Sequence, residues 1–322
     1  MITDQVTSAL LAALTHAAGI EVVRREPIRI WQLSGVERLH LADDTTIVFK
    51  YATSPFTNED HTLRHLAAHS IPVPQVHNSV TIDDTLGMLI KDLGPATRDA
   101  NENDAAIAAA RLHTLDPAPG LTTLDDTALR ALPARSLAHV ERLTATGRLT
   151  DKHHLAPLFQ ALDHATAQRT ADAEIPPFGI CHSELHPTSL HITRHGWHLL
   201  DVAKAFNGPG ILDLATWHGT RNPPDPPRLR RLLNHYVHAG GHPHALRDRA
   251  GLPAETWALA WHRIWAAETL LHQTTLTTDN PSTETLDAIQ RQATTALELL
   301  NTRPRSSISS FNRLFRTGFD GP

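Results

Sequence analysis

The stretch that most constrains the fold of this chain runs over residues 179–215. It begins with a short apolar segment and continues with a polar loop, 182–189. Two runs that alternate between apolar and polar residues follow, 190–193 and 197–200, separated by Arg194-His195-Gly196. Alternation around a short glycine-containing turn is typical of a β-hairpin. We therefore expect a strand end, a loop and a hairpin in immediate succession.

Three oxygen-bearing side chains are expected to meet at this hairpin. Asp201 directly follows its second strand, and the loop before the hairpin presents Glu184 and Ser189. Carboxylate and hydroxyl oxygens are suitable ligands for a hard divalent cation such as Mg²⁺. The pattern therefore indicates a site at which the loop and the end of the hairpin converge on a cation.

The same stretch resembles the aminoglycoside phosphotransferases and related small-molecule kinases, including the choline kinase-like proteins, which share a protein kinase-like fold. The signature of that family is a loop of the form His-Gly-Asp-Leu-His-x-x-Asn, then a hairpin, an Asp, Gly-Pro and Asp-Leu-Ala. The matching residues here are His182, Glu184, Leu185, His186, Pro187, Ser189, Asp201, Gly208, Pro209, Asp213, Leu214 and Ala215. Order and spacing are kept over more than thirty residues.

Two positions depart from the family pattern. Glu184 stands where the family has its catalytic Asp, and Ser189 stands where it has an Asn that helps to hold metal. Glu keeps the charge but adds about 1.5 Å of bond length, and a displacement of about 1 Å can cost on the order of a hundredfold in rate. Ser has a shorter arm than Asn, so we expect one metal position to be weakened or filled by water. The departures bear on activity and not on the fold.

The resemblance implies an α+β, bilobal protein kinase-like fold. A small N-terminal lobe, with an antiparallel sheet and one helix, is expected to bind nucleotide at residues 1–93. A larger, mostly helical C-terminal lobe with the catalytic loop and the substrate site is expected at 94–302. In agreement, the apolar pattern changes at Gly94 from a period of two to about 3.6. Residues 303–322 form a basic tail that contains serines and phenylalanines.

Lys50 and Glu59 have the arrangement of a kinase ion pair. Lys50 follows a β-branched and aromatic run, and Glu59 begins a helical pattern. In kinases such a lysine neutralises the inner phosphates, and the glutamate holds its long side chain in one orientation. The alternative is a solvated strand-end lysine and a glutamate favoured by the helix dipole. The downstream loop favours the ion pair, so we expect both residues at the nucleotide.

Two further segments are expected at the nucleotide by resemblance. Residues 34–37, which include Gly35, occupy the place of the loop that covers the nucleotide, where small residues let backbone N–H groups approach phosphates. An ordinary turn is an equal alternative there. Ile90, Lys91 and Leu93 lie in a segment that resembles the hinge between lobes, whose backbone would pair with a purine edge. Backbone recognition leaves both ATP and GTP open.

The resemblance implies a role for each remaining residue of the site. Asp201 would bind a Mg²⁺ that bridges the β- and γ-phosphates, and Lys50 would hold the inner phosphates. Glu184 would accept a hydrogen bond from the attacking hydroxyl. Ser189 would be an optional or water-mediated metal ligand. Asp213 would tie the loop down from a buried position, with a helix N-cap as its alternative.

Composition excludes several classes of function. Cys181 is the only cysteine in 322 residues, which rules out an internal disulfide and a cysteine-based zinc site and makes a cytoplasmic setting the default. The net charge of −5 offers no basic field for nucleic acid and permits a cationic substrate. No stretch approaches the roughly 20 uninterrupted apolar residues of a membrane span. The N-terminal 20 residues are expected to form an amphipathic helix and not a secretory signal.

The chain has 23 histidines, and a high histidine content suggests a metal site. The pair His182 and His186, four residues apart in the loop, is the first candidate. The spacing of the others is loose, which favours scattered structural histidines over a zinc site. We expect His182 and His186 to brace the loop.

Late helical patterns raise two questions about substrate contact. Trp257, Trp261 and Trp265 are four residues apart on one face, which predicts a packed helix, with an exposed stacking platform as the alternative. Glu268 could face a cationic substrate, although no spacing rule singles it out.

Three functions remain open at this point. The first is an ATP- or GTP-dependent kinase of a small-molecule hydroxyl, such as an aminoglycoside or another secondary metabolite. The second is a catalytically impaired protein that binds nucleotide or serves as a scaffold. The third is a kinase that acts on Ser or Thr of a natural-product precursor peptide. The sequence fixes neither the acceptor nor the oligomeric state.

Overall fold

The computed structural model describes residues 2–149 and 154–302 of the chain. The architecture is α+β, with a five-stranded antiparallel sheet in the first part of the chain and a mostly helical region after it. The strands of this sheet are β1 Val22–Ile30, β2 Ser34–Leu41, β3 Thr46–Thr53, β4 Val76–Ile82 and β5 Thr85–Lys91, in the spatial order β1-β2-β3-β5-β4. The expected fold class is confirmed.

Two helices accompany the sheet, α1 Asp4–Ala18 and α2 Glu59–Ala68. The Thr3 side chain accepts a hydrogen bond from the first turn of α1, and Gly19, with a φ of 63°, ends the helix in the left-handed conformation. Leu10 and Leu14 of α1 are buried against the sheet, while its other face is largely exposed. The predicted amphipathic N-terminal helix is therefore present.

The rest of the described chain contains eight α-helices and four short strands. The helices are α3 Glu102–Leu112, α4 Asp126–Arg130, α5 Leu132–Ala145, α6 Leu155–Thr166, α7 Gly210–Thr216, α8 Pro226–His238, α9 Ala254–Leu276 and α10 Thr283–Leu300. The strands are β6 Phe178–Cys181, β7 Leu190–Thr193, β8 Gly196–Leu199 and β9 Phe206–Pro209. The predicted division of the chain at residue 93 stays a prediction, and the predicted tail, 303–322, lies outside the described residues.

The hairpin predicted from the alternation at 190–200 is formed by β7 and β8, which pair antiparallel from Leu190 with Leu199 to Thr193 with Gly196. Backbone hydrogen bonds fix it to the chain on both sides of β4 and β5. The N–H of Leu199 donates to the Pro72 carbonyl at 2.8 Å, and the N–H of Thr97 donates to the Ile192 carbonyl at 2.8 Å. The hairpin is thus held against the sheet, and Asp201 follows its second strand.

The first turn of the sheet differs from the prediction. The pattern places a turn at Ser34-Gly35, whereas β1 ends at Ile30, residues 31–33 form the connection, and Ser34 is the first residue of β2. Gly35 pairs with Tyr51 of β3, and a Cβ on Gly35 would lie 2.2 Å from the Tyr51 ring. The glycine therefore serves the close approach of an aromatic ring within the sheet, which a single sequence cannot distinguish from a turn.

The tryptophan row of α9 is mainly a packing face, as predicted. Trp257 and Trp261 are fully buried, and both indole N–H groups donate to the Arg169 carbonyl, at 2.8 and 3.0 Å. Trp265 is only partly buried, and its ring meets that of Phe206 edge-on at a centroid distance of 4.8 Å. None of the helices in the described ranges combines the length and apolar character needed to cross a membrane.

Candidate active site

The sheet supplies a buried cation to the site. Lys50 lies on β3, and its ammonium contacts Glu59 Oε1 and Asp201 Oδ1, both at 2.6 Å. Glu59 is the first residue of α2 and is almost fully buried. Lys50 and Glu59 are therefore brought together with Asp201, which lies 151 positions after Lys50 in the sequence, in the lining of one cleft.

The pKa values of this group follow from one cation between two carboxylates. Burial alone would lower the pKa of Lys50, but Glu59 and Asp201 outweigh it and raise that pKa. Burial raises the pKa of Glu59, with Lys50 opposing it. Burial alone would also raise the pKa of Asp201, but Lys50 and Arg29 lower it to about 2. Of the two carboxylates, Asp201 therefore has the lowered pKa and Glu59 the raised one.

Arg29 is a contributor that the sequence did not indicate. It lies on β1, and its Nη2 contacts Asp201 Oδ2 at 3.2 Å. Its guanidinium is also stacked over the exposed ring of Trp31, 4.9 Å from the ring centroid. The two oxygens of Asp201 thus face two different cations, one buried and one near solvent. No local pattern links Arg29 to a carboxylate 172 residues away.

A cleft between the sheet and the hairpin opens directly above these charges. Its apolar walls come from both parts of the chain and include Ile28, Val36, Val48, Ile90, Leu93 and Leu200. Lys91 also lines the cleft, whereas Gly35 is not among its lining residues. An apolar cleft with Lys50, Glu59 and Asp201 in its lining has the character of a ligand-binding site.

Asp92, between the predicted hinge residues, fixes the end of β5. Its carboxylate accepts hydrogen bonds from Arg38 at 2.6 Å, from Thr46 at 2.9 Å and from the Gly94 N–H at 2.9 Å. Burial raises the pKa of Asp92, but these donors lower it below its usual value. These bonds join the end of β5 to Arg38 of β2 and Thr46 of β3 beside the cleft.

The loop 182–189 is held down by a buried carboxylate. Asp213 accepts hydrogen bonds from the backbone N–H groups of His182 and Ser183 and lies 3.2 Å from Nε2 of His113. Asp213 lies inside α7, whose N-cap is Pro209, so the N-cap alternative for Asp213 is wrong. The observed contacts are those expected of a residue that ties the loop down.

His182 connects this loop to the residue that precedes Asp201. Its Nε2 lies 2.7 Å from the Leu200 carbonyl, and its Nδ1 accepts the N–H of Glu184 at 3.2 Å. This pairing requires the proton on Nε2. Leu200 precedes Asp201, so one imidazole joins the two segments that carry the acidic side chains. His182 therefore braces the loop, as expected.

Glu184 faces a second cation that the sequence did not indicate. Its Oε1 lies 2.9 Å from Nζ of Lys204, and 44% of its side chain is exposed. Lys204 is in turn positioned over the Phe56 ring at 5.4 Å. Glu184 lies in the loop between β6 and β7, and Lys204 lies in the segment between β8 and β9. No periodic pattern indicates which side chains of these two loops meet.

Ser189 is placed differently from the other predicted site residues. It is fully buried, and its hydroxyl donates to the His186 carbonyl and accepts the His186 N–H, both at 2.9 Å. These bonds close the short 3-10 turn Pro187–Ser189 that precedes β7. The Ser189 hydroxyl is thus engaged within its own turn, and its role as a metal ligand stays a prediction.

A second cavity is lined in part by Glu184. Its wall includes Ser183, His186 and Lys204 from the loops and Trp265, Thr269 and Gln273 from α9. Glu268 is not part of this wall, because its carboxylate contacts Arg135 at 3.2 Å and His139 at 3.6 Å. Glu184 and Lys204, which carry opposite charges in this wall, form an ion pair with each other.

A histidine-based metal centre gains no support in the described part of the chain. The metal-like cluster found there is His113, Cys181 and Asp213, whose ligand atoms lie within 4.8 Å of one another. The oxygens of Asp213 already accept two backbone N–H groups. Burial also raises the pKa of the Cys181 thiol well above its usual value, which disfavours the thiolate that a metal needs. The cluster is explained by its loop contacts.

Comparison with known proteins gives one family match. Residues 39–253 match the model of the phosphotransferase enzyme family, APH. The match includes Lys50, Glu59, the loop 182–189 and Asp201, and it covers more than half of the chain. No curated protein is similar enough to match the chain.

Solved structures of similar fold include several small-molecule kinases. A choline/ethanolamine kinase family protein from Mesorhizobium loti is 17% identical, with a TM-score of 0.60 over 94% of this chain and 96% of that chain. A macrolide 2'-phosphotransferase from Brachybacterium faecium is 17% identical, with a TM-score of 0.56 over 88% and 97%. An amicoumacin kinase in complex with AMP-PNP, Ca²⁺ and Ami is 13% identical, with a TM-score of 0.56 over 92% and 96%. These likenesses concern the fold.

Proposed function

The chain belongs to the phosphotransferase enzyme family, and from this membership we propose that it transfers the γ-phosphoryl group of ATP or GTP to a hydroxyl of a small molecule. The observation that carries the proposal is the 2.6 Å contact between Lys50 and Asp201. It joins a buried cation of the sheet to the carboxylate at the end of the hairpin, beneath an apolar cleft. Phosphoryl transfer needs this combination of positioning and charge neutralisation more than it needs covalent chemistry.

The residues of the site fit a divalent cation that arrives with the nucleotide. Mg²⁺ is usually held by one or two carboxylates together with substrate phosphates. Asp201 offers one carboxylate that faces the cleft and stays ionised, since its pKa is about 2. When bound, the metal would neutralise phosphate charge and orient the terminal phosphoryl group. Lys50 would hold the inner phosphates, and Glu59 would keep its ammonium in place.

Glu184 is the residue proposed to act on the acceptor. In the transfer, the acceptor oxygen forms a bond to the γ-phosphorus, the bond from that phosphorus to the β–γ bridging oxygen breaks, and the hydroxyl proton passes to Glu184. The longer arm of Glu184 is restrained by two features. Its N–H is bound by His182, and its carboxylate is bound by Lys204. These contacts give a longer carboxylate one defined position.

The second cavity is the proposed acceptor site. It adjoins Glu184, and its wall combines the Trp265 ring with the polar side chains of Thr269 and Gln273. Glu184 and Lys204 neutralise each other there. A balanced wall of this kind suits an acceptor of low charge that carries several hydroxyls, and it gives no surplus of carboxylates for a polyamine. We therefore propose a hydroxylated secondary metabolite with at most one amine, in preference to a polycationic aminoglycoside.

A nucleotide-binding protein without transferase activity is the second candidate. It is favoured by two observations. Lys204 donates a hydrogen bond to an oxygen of Glu184, and the Ser189 hydroxyl is hydrogen-bonded to the backbone of His186 in its own turn. Both candidates require nucleotide binding. They differ only in whether the phosphoryl group leaves the nucleotide.

The test is transfer of labelled γ-phosphate to a panel of neutral, monoamine and polyamine hydroxyl compounds by the full chain and by Glu184→Gln. Loss of the carboxylate is expected to lower kcat by about a hundredfold or more, which is typical of a lost general base. Affinity for AMP-PNP should change little, because Glu184 does not line the nucleotide cleft. Glu174→Gln, which alters an exposed glutamate, is the matched control.

Two results would contradict the proposal. If wild type transfers phosphate to no compound while it binds AMP-PNP, the nucleotide-binding candidate replaces the transferase. If Glu184→Gln retains wild-type kcat with an accepted compound, Glu184 is not the base.

A further inference from the structure

Two cationic side chains, Lys50 and Arg29, contact the carboxylate of Asp201. Arg38 also lines the cleft, but it is bound to Asp92 at 2.6 Å and lies 3.5 Å from Glu26. Lys50 contacts one oxygen of Asp201, and Arg29 contacts the other. Any metal that binds Asp201 must therefore share or displace at least one of these two cations.

The two cations differ in how freely they can move. Only 9% of the Lys50 side chain is exposed, and Glu59 holds its ammonium from the opposite side. The Arg29 side chain is 41% exposed, and its contact with Asp201 is longer, at 3.2 Å. Arg29 is thus the cation that a metal approaching Oδ2 of Asp201 would release.

The released guanidinium would remain close to Asp201, which lines the cleft. Arg29 is stacked on Trp31, and the connection 31–33 is closed by a 2.7 Å hydrogen bond from the Trp31 N–H to the Ser34 carbonyl. Ile28, one residue before Arg29, lines the cleft itself. The strand and the aromatic ring therefore hold the arginine next to Asp201. Planar guanidinium groups are well suited to phosphate oxygens.

The donor set around Asp201 leaves charge that this arginine can neutralise. Ser189 is buried and bonded within its own turn, and Glu184 is bound to Lys204. One carboxylate can hold one metal ion, which leaves a bound triphosphate with negative charge on its terminal group. Side-chain cations must then complete the neutralisation of that group.

We propose that Arg29 is a ligand of the terminal phosphate. In the nucleotide-free protein it neutralises Oδ2 of Asp201, and when the metal and nucleotide occupy Asp201 its guanidinium moves to the γ-phosphate. The inference rests on the proposed function. It assigns to Arg29 the discrimination between a nucleoside triphosphate and a diphosphate.

The test is calorimetric titration of the full chain with AMP-PNP and with ADP, each with Mg²⁺, for wild type and for Arg29→Gln. The affinity for AMP-PNP is expected to fall about tenfold or more in Arg29→Gln, which is typical of a lost charge-assisted hydrogen bond. Affinity for ADP should change by less than about twofold, because ADP lacks the group that Arg29 contacts. Arg29→Lys should recover part of the AMP-PNP affinity, since it restores the charge without the planar fork.

Arg24→Gln is the matched control, because Arg24 is an exposed arginine of the same strand that pairs with Glu26. Equal weakening of AMP-PNP and ADP by Arg29→Gln would overturn the inference, and so would unchanged binding. Tighter AMP-PNP binding would overturn it too, since Arg29 would then only compete with the metal. Failure of wild type to bind either nucleotide would instead refute the proposed function on which the inference rests.

Discussion

Asp201 is the carboxylate that the two cations of the site, Lys50 and Arg29, both contact. It is predictable from sequence as the residue after a hairpin, because alternation and turn composition are local properties. Its partners differ in this respect. Lys50 and Glu59 could be predicted from a strand followed by a helix, whereas Arg29 and Lys204 could not, because their contacts cross long sequence separations without a periodic pattern.

The pH dependence of stability tests the electrostatics of Asp201. Its pKa of about 2 lies below the ordinary value of about 3.9, so its ionised form stabilises the fold above about pH 4 and this stabilisation is lost as the pH falls towards 2. We expect the difference in free energy of unfolding between wild type and Asp201→Asn to be constant above about pH 5 and to shrink below about pH 4. Denaturant unfolding across this range measures it.

Asp99→Asn, at an exposed position, should give no such pH-dependent difference. A difference for Asp201→Asn that titrates near neutral pH would mean that Lys50 and Arg29 do not hold the carboxylate as described.

At the scale of elements, the loop 182–189 depends on α7 more than on its own residues. Asp213 receives two backbone N–H groups of the loop, and His113 of the segment after α3 lies against the same carboxylate. The strand before the loop is also anchored from a distance. Arg249 is fully buried and donates to the carbonyls of residues 172, 173, 175 and 176, directly before β6. The position of Glu184 therefore follows from contacts made by helices that lie far away in sequence.

Replacement of Asp213 by Asn tests this dependence. The amide offers one acceptor oxygen where the carboxylate has two, so at least one buried N–H loses its partner. We expect a loss of about 2 kcal/mol or more in the free energy of unfolding and a fall in kcat on the order of a hundredfold, since the loop would shift. Thermal unfolding and the transfer assay measure both effects.

His113→Gln provides the comparison, because it leaves both backbone bonds to Asp213 intact and should have the smaller effect on kcat. An Asp213→Asn protein with wild-type stability and turnover would show that Asp213 does not position the loop.

The strands and helices themselves were largely predictable, and the exceptions have a physical reason. The hairpin β7–β8 follows from alternation around its turn residues, and helix α9 follows from the spacing of its tryptophans. The turn at Ser34-Gly35 was misplaced because glycine also occurs where a neighbouring side chain approaches the backbone, as Tyr51 does here. That reason is visible only when β2 and β3 are paired.

At the scale of the whole molecule, one large apolar core runs from the inner face of the sheet into the helical region. It includes Val48 and Ile90, which also line the cleft above Lys50, together with residues of α9 such as Trp257 and Trp261. A smaller core lies between α1 and the other face of the sheet and includes Leu10, Leu14 and Phe49. Because Val48 and Ile90 belong both to the cleft wall and to the large core, the packing of that core helps to set the position of Lys50 relative to Asp201.

The central claim is that Lys50 and Asp201 act as one unit on a metal-bound nucleotide. Calorimetric titration with Mg²⁺ and AMP-PNP of wild type, Lys50→Met, Asp201→Ala and the double variant tests it most directly. We expect saturable binding by wild type and a loss of about tenfold or more in affinity in each single variant. The double variant should lose less binding free energy than the sum of the two single losses, because the effects of contacting residues are not additive. Wild-type affinity in both single variants, or no binding by wild type, would contradict the claim.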